Sequence, residues 1–174
     1  MKKILLLTLL ILTTNLFATD YSVDPDRSHV TFKVRHLLFS TVKGSFRDFS
    51  GSYTIDDGRL KALEGRVKAA SVTTGSEKRD RYLVSDKFFD PRHYPDMTMR
   101  LLYMQKGDAV VSLKIKNVSD QVRLKTTLTE NGVTLRGKIS RKAFGLTWGG
   151  AIEAGGVVVG DDVRIRIDLH GTPQ

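Results

Sequence analysis

Apolar and polar residues alternate with a period of two along most of this chain, and that rhythm limits the fold more than any other feature. Within the stretch from Ser28 to His36, Val30, Phe32, Val34 and His36 point one way, while Thr31, Lys33 and Arg35 point the other. The same beat returns in Leu63, Val67 and Ala69 and in Met97, Met99, Leu101 and Tyr103. It continues through Val111, Leu113 and Ile115, then Val122, Leu124, Thr126 and Leu128, then 133–139 and 163–169. Alternation of this kind marks strands with one dry and one wet face. Turn signals at Asp56-Asp57-Gly58, Lys106-Gly107-Asp108, Asn117–Asp120, Asn131-Gly132 and Gly160-Asp161-Asp162 separate the runs. Connections this short suit antiparallel hairpins, because parallel strands need crossovers of a dozen residues or more. The expected fold is all-β, with about eight strands in a sandwich or a closed barrel.

One stretch, 74–96, breaks the rhythm. Glu77 to Leu83 lacks β-branched residues and predicts a short helix with Ser76 at its N-cap, ended well before Pro91 and Pro95. Glu77 and Arg81 are spaced for a surface ion pair. Phe88, Phe89 and Tyr94 are too many aromatics for an exposed loop and are expected to pack on something.

At the N-terminus, Lys2 and Lys3 precede the apolar run Ile4–Leu12 and a more polar stretch ending at Ala18, the order of a secretory signal peptide. The run is too short for a membrane span, since residues rising about 1.5 Å each must cross about 30 Å of hydrocarbon. The expected division is a signal peptide over 1–18 and one domain over 19–174, exported to the periplasm or secreted. Removing 18 of the 174 residues leaves 156, and the loss of Lys2 and Lys3 takes the formal charge from +9 to +7. Those charges stand one at a time on wet strand faces, which argues for a solvated basic wall and against a nucleic-acid track.

Catalytic chemistry has little to stand on. There is no cysteine, and therefore no disulfide, thiolate metal site or cysteine nucleophile. His29 and His36 share a strand on opposite faces and cannot chelate one metal. No zinc-protease helix motif, nucleophile elbow or phosphate-cradling glycine loop is present, and Gly149-Gly150 and Gly155-Gly156 read as a flexible connection. A binding protein without cofactor or metal is the expectation. The rival enzyme reading would rest on His36 and a nearby acid. His36 falls on the apolar face, where it either satisfies a core hydrogen bond or meets a ligand head group.

Three blocks then carry a resemblance. The first holds Tyr21–Pro25, Arg27–Val30, Phe32–Leu37, Val42–Phe46 and Phe49–Gly51. The second holds Ala70–Gly75, Glu77–Asp80, Leu83–Asp86, Phe88–Asp90 and Tyr94-Pro95. The third holds Ser140-Arg141, Phe144–Leu146, Trp148 and Val159–Val163. Together they resemble the YceI-like, polyisoprenoid-binding family of bacteria. The resemblance implies an eight-stranded antiparallel lipocalin-like barrel with a short helix near the mouth. It also implies a long-tailed amphipathic ligand (a polyprenyl phosphate, isoprenoid quinone or fatty-acid derivative), and a homodimer, which several members form. On that reading Phe32, Val34, Phe46, Val67, Met99, Phe144 and Trp148 line a tail channel. Lys78, Arg79, Tyr82, Leu83, Phe88 and Phe89 form the mouth, with Lys78 or Arg79 meeting an anionic head group. The competing expectation is a barrel filled by its own side chains that acts through its surface, since eight strands can either fill or enclose a ligand.

Overall fold

Tight reversals turn the alternating runs into hairpins. Asp57 and Gly58 both have positive φ, 49° and 63°, as do Lys106 and Gly107 at 52° and 85°. Both positions of a two-residue turn are then left-handed, which matches the right-handed twist of the flanking strands. The computed structural model describes residues 18–36, 40–129, 131–148 and 159–174. The expected signal sequence, apart from Ala18, lies outside the described residues, as do Leu37–Phe39 and both glycine pairs.

The strands are β1 (Thr19–Val23), β2 (His29–His36), β3 (Ser40–Phe46), β4 (Phe49–Asp56), β5 (Arg59–Lys68), β6 (Val72–Thr73), β7 (Asp96–Gln105), β8 (Asp108–Ile115), β9 (Val118–Thr129), β10 (Gly132–Ser140) and β11 (Val159–Pro173). Helix α1 spans Glu77–Leu83, the predicted residues. Eight strands close a ring in the order β1-β4-β5-β7-β8-β9-β10-β11, and β11 returns to β1 through Tyr21↔Pro173, Ser22↔Thr172 and Val23↔Gly171. Closure leaves the ring itself without the open sheet edges that would invite other chains. Strand β11 is long enough to serve two neighbours. Its last residues pair with β1, whereas Val159–Asp168 pair with β2, which leads on to β3 and β6. This wing is tied back to the ring where Arg47 N–H donates to Ser71 O (3.2 Å) and Lys68 N–H donates to Asp48 O (2.9 Å). Among the described residues the fold is therefore an eight-stranded antiparallel barrel with a three-strand wing and one short α-helix.

Three local expectations are corrected. Tyr103 was expected to point inward, but the register shifts between Leu101 and Tyr103; the bulge turns Tyr103 out, 50% exposed, and brings Met104 onto the core. The reversal after β8 is confined to Lys116-Asn117, because Lys116 adopts φ 56° and lets Ile115 pair at once with Val118; residues 118–120 are strand. The segment Gly160-Asp161-Asp162 is likewise no turn and belongs to β11, with an irregularity between Val159 and Val163. Asp161 explains it, since its carboxylate accepts from Lys142 N–H (3.0 Å) and Ser140 Oγ (2.8 Å), holding the strand against the end of β10. The Lys142 amide keeps the Asp161 carboxyl below its ordinary value.

Candidate ligand-binding site

The barrel core is packed toward one end, where an open cleft lies among Leu60, Leu101, Met104, Thr126 and Leu128, and hollow toward the other. At the end carrying the turns 57–58 and 106–107, Tyr53, Leu60, Leu124 and Val133 are all buried at 1% exposure or less. Tyr21 stacks on Tyr53 there, centroids 5.0 Å apart, and Tyr53 O–H donates to Asn131 O at 2.9 Å. Burial pushes the Tyr53 hydroxyl up to about 12. Toward the other end the inward rows stop meeting, and a cavity of about 460 Å³ opens among them. That volume falls in the range of small-molecule sites.

The walls follow from the period of two. Strands β2, β3 and β11 contribute Phe32, Val34, Val42, Phe46, Val163 and Ile165, and β5 and β7 contribute Val67, Met97 and Met99. Glycines shape the space in two ways. Gly44 lies opposite Phe32 in the register, and an added Cβ would stand 2.2 Å from the Phe32 ring, so that ring lies across the bare glycine. Gly65 also lines the cavity, yet a Cβ there would meet only Ser50 O at 3.9 Å. A side chain at 65 would project into open space.

The cover is aromatic. Phe32, Phe46, Phe89 and Phe88 follow one another at centroid spacings of 5.7, 5.9 and 4.9 Å, and Phe88 meets Trp148 at 5.1 Å. Trp148 stacks on Tyr82 of α1. Phe88 and Phe89 are buried, as expected, and Tyr94 packs under Lys116 Nζ, 5.4 Å from its centroid. Ser76 stands at the N-cap of α1, as expected, and its carbonyl accepts from Asp80 N–H (2.8 Å), but its side chain makes no capping hydrogen bond. Instead the Asp80 carboxylate accepts from Thr74 N–H (2.9 Å) and Thr73 Oγ1 (3.2 Å), and Arg79 Nε and Nη2 donate to Thr74 Oγ1 and O (2.7 and 3.0 Å). Arg79 is thus pinned at the cavity wall, whereas Lys78 is exposed at the rim with no ion pair or hydrogen bond among the described residues. Glu77 and Arg81 form the expected exposed pair at 3.3 Å.

Twelve of the fourteen candidate residues stand at this wall: Phe32, Val34, Phe46, Val67, Lys78, Arg79, Tyr82, Leu83, Phe88, Phe89, Met99 and Trp148. Phe144 does not; it is 1% exposed in a 3₁₀ turn packed on β9 and β10, and it fills the barrel beside the cavity. His36 ends β2 opposite Ser40 and Val159, and its side chain lies outside what is described. Arg141 was absent from the candidates. It is 3% exposed, lines the cavity, and donates to Gly160 O, Leu146 O and Val159 O at 3.1, 2.8 and 3.0 Å. Those bonds clasp the segment carrying Leu146 and Trp148 to β11. Only its place in the third sequence block hinted at a role. Among the described residues no three His, Asp or Glu side chains gather as a metal site, and no helix is long and apolar enough to cross a membrane.

A closed antiparallel barrel, packed below and hollow above, with an aromatic cover on a short helix, is the architecture of a barrel that takes a guest inside. The YceI-like domain model matches residues 21–171, and the chain belongs to that family. Protein YceI of Escherichia coli O157:H7 is 31% identical over 167 residues, covering 90% of this chain and 82% of that protein. Two solved structures share the fold. BcnA of Burkholderia cenocepacia superposes with a TM-score of 0.75 at 21% identity, covering 86% of this chain and 99% of that one. A polyisoprenoid-binding domain from Saccharophagus degradans, implicated in plant cell wall breakdown, superposes with a TM-score of 0.69 at 17% identity, covering 88% and 98%.

Proposed function

We propose that this barrel binds one long-tailed amphipathic lipid, tail in the cavity and head at the rim beside Lys78, and that it stores or carries that lipid in the bacterial cell envelope. The observation that carries the reading is the apolar cavity itself. A barrel acting only through its surface has no need of an empty interior, because unfilled space forfeits contact energy at every wall atom. Each methylene moved from water into such a space gains about 0.8 kcal/mol, so a five-carbon isoprenoid unit contributes roughly 3 kcal/mol before ordering losses. The Saccharophagus domain supports an isoprenoid tail, and the charged, then apolar N-terminus supports export.

Gly65 offers the test. Gly65→Phe places a ring where the backbone leaves open space, so the fold should persist while the tail loses its room. Binding of a polyprenyl phosphate and of an isoprenoid quinone should both weaken roughly tenfold or more, the equivalent of two lost methylenes. Lys78→Gln should weaken the phosphate alone. Wild-type protein that binds neither lipid, or a Gly65→Phe variant that binds both unchanged, would end this reading.

A further inference from the structure

The cations that stand singly in the sequence come together across the strands. On the outer face, Lys138 of β10 is paired in register with Arg164 of β11, Arg164 with Lys33 of β2, and Lys33 with Lys43 of β3. Four exposed cations thus lie side by side across four adjacent strands, a row roughly 14 Å wide at the usual strand spacing. One step along the strands, Arg136 faces Arg166. Two carboxylates accompany these six, Asp162 on Lys138 (2.8 Å) and Asp168 on Arg166. Lys33, Lys43 and Arg164 have no ion pair among the described residues.

Like charges directly opposite one another in an antiparallel pair destabilise it, and here three such pairs share one row. Within the row, Asp162 on Lys138 is the one ion pair among the described residues that offsets that cost, and a dense anionic surface would offset the rest. We propose that this wall docks the protein on an anionic phospholipid bilayer. The inner faces of the same strands point to a bilayer over a nucleic acid. Phe32 and Val34 flank Lys33, Val42 and Gly44 flank Lys43, and Val163 and Ile165 flank Arg164; five of those six line the cavity and Gly44 lies beneath the Phe32 ring. The cationic face and the cavity wall are two sides of one sheet, so docking sets the cavity against the pool from which a lipid guest would come. That purpose rests on the proposed lipid cargo. The docking does not, and it is measured without cargo, so the two readings fail separately.

The test is cosedimentation of the full chain with vesicles of phosphatidylcholine alone or with phosphatidylglycerol added. Wild type should pellet with the anionic vesicles and come off in high salt. Each basic residue near such a surface is worth roughly fivefold in partitioning, so Lys33→Glu/Lys43→Glu, which removes and reverses two charges, should lose roughly twenty-five-fold or more. Lys33→Gln/Lys43→Gln should lose less, and neither change should lower thermal stability, since both relieve repulsion. Arg100→Glu/Lys114→Glu alters exposed cations of β7 and β8, away from the row, and should stay within about twofold of wild type. The apolar N-terminal run is common to all four proteins and cancels. Equal losses for both charge-reversed pairs, or displacement from anionic vesicles by a DNA duplex, would each overturn the proposal.

Discussion

Tyr82 and Trp148 lie face to face, ring centroids 4.9 Å apart and planes 12° from parallel, and the stack joins α1 to the segment that follows β10. It forms at a cost. Trp148 Nε1 is buried without a hydrogen-bond partner among the described residues, and an unsatisfied donor costs about 1–3 kcal/mol. Trp148→Phe keeps a ring on Tyr82 and removes the orphaned N–H, so urea denaturation should show unchanged or higher stability. Trp148→Ala should lose about 2 kcal/mol and raise hydrogen exchange across α1. Equal damage from the two substitutions would mean that the stack is not what holds the helix.

Gly44 makes a sharper steric demand. The Phe32 ring occupies the place of its missing Cβ, with three ring carbons within 2.2–2.9 Å of it. Gly44→Ala must push that ring toward the cavity, costing about 2 kcal/mol and narrowing the space for a guest. Thermal melting and lipid affinity should fall together. Gly44→Ala with wild-type affinity would show that the ring can move without closing the channel.

Arg141 ties the Trp148 segment to the barrel from inside. Its three described carbonyl acceptors lie in different directions, which a planar fork can serve and a single ammonium cannot. Arg141→Lys should therefore fail to rescue, with a loss of about 3 kcal/mol as buried carbonyls go unpaired. Trp148 is the sole tryptophan, so its emission reports the segment directly and should move to the red. An unshifted spectrum in a destabilised Arg141→Lys protein would place the clasp elsewhere.

How much of this was legible in the chain depended on the range of the interaction. Local signals served best: the period of two marked β2, β5, β7, β8, β9, β10 and β11, though not β1, β3, β4 or β6, and the missing β-branched residues located α1 to the residue. Where a distant partner intervened, the reading slipped. Asp161 looked like a turn residue because Ser140 and Lys142, its donors, lie some twenty positions away. The Tyr103 bulge depends on how β7 meets β8, which no window on β7 reveals. Phe144 and Phe32 are alike in type, but packing on β9 and β10 makes one of them core and leaves the other on the cavity wall. Register hid the cationic row as well, since Lys33, Lys43, Lys138 and Arg164 become neighbours only across the sheet. Composition could not separate a filled barrel from a hollow one, because the difference lies in where Gly44 and Gly65 fall against the facing rows.

Tyr53 closes the packed end, and its ionisation should set the alkaline limit of the fold. Its hydroxyl is raised from about 10 to about 12, first by burial and then by the neighbouring Tyr21. A group that holds its proton more tightly when folded adds stability that is fully present below its unfolded value and lost as the pH climbs toward its folded one. Wild-type stability should therefore decline between about pH 10 and 12 more steeply than that of Tyr53→Phe, which has no hydroxyl to ionise there. Near neutral pH the order should reverse, because Tyr53→Phe leaves the Asn131 carbonyl without its 2.9 Å hydrogen bond, a loss of about 1 kcal/mol. Every other side chain is common to both proteins, so the difference between the two pH profiles reports Tyr53. Parallel profiles across that window would show that the hydroxyl ionises as easily in the folded barrel as in the unfolded chain.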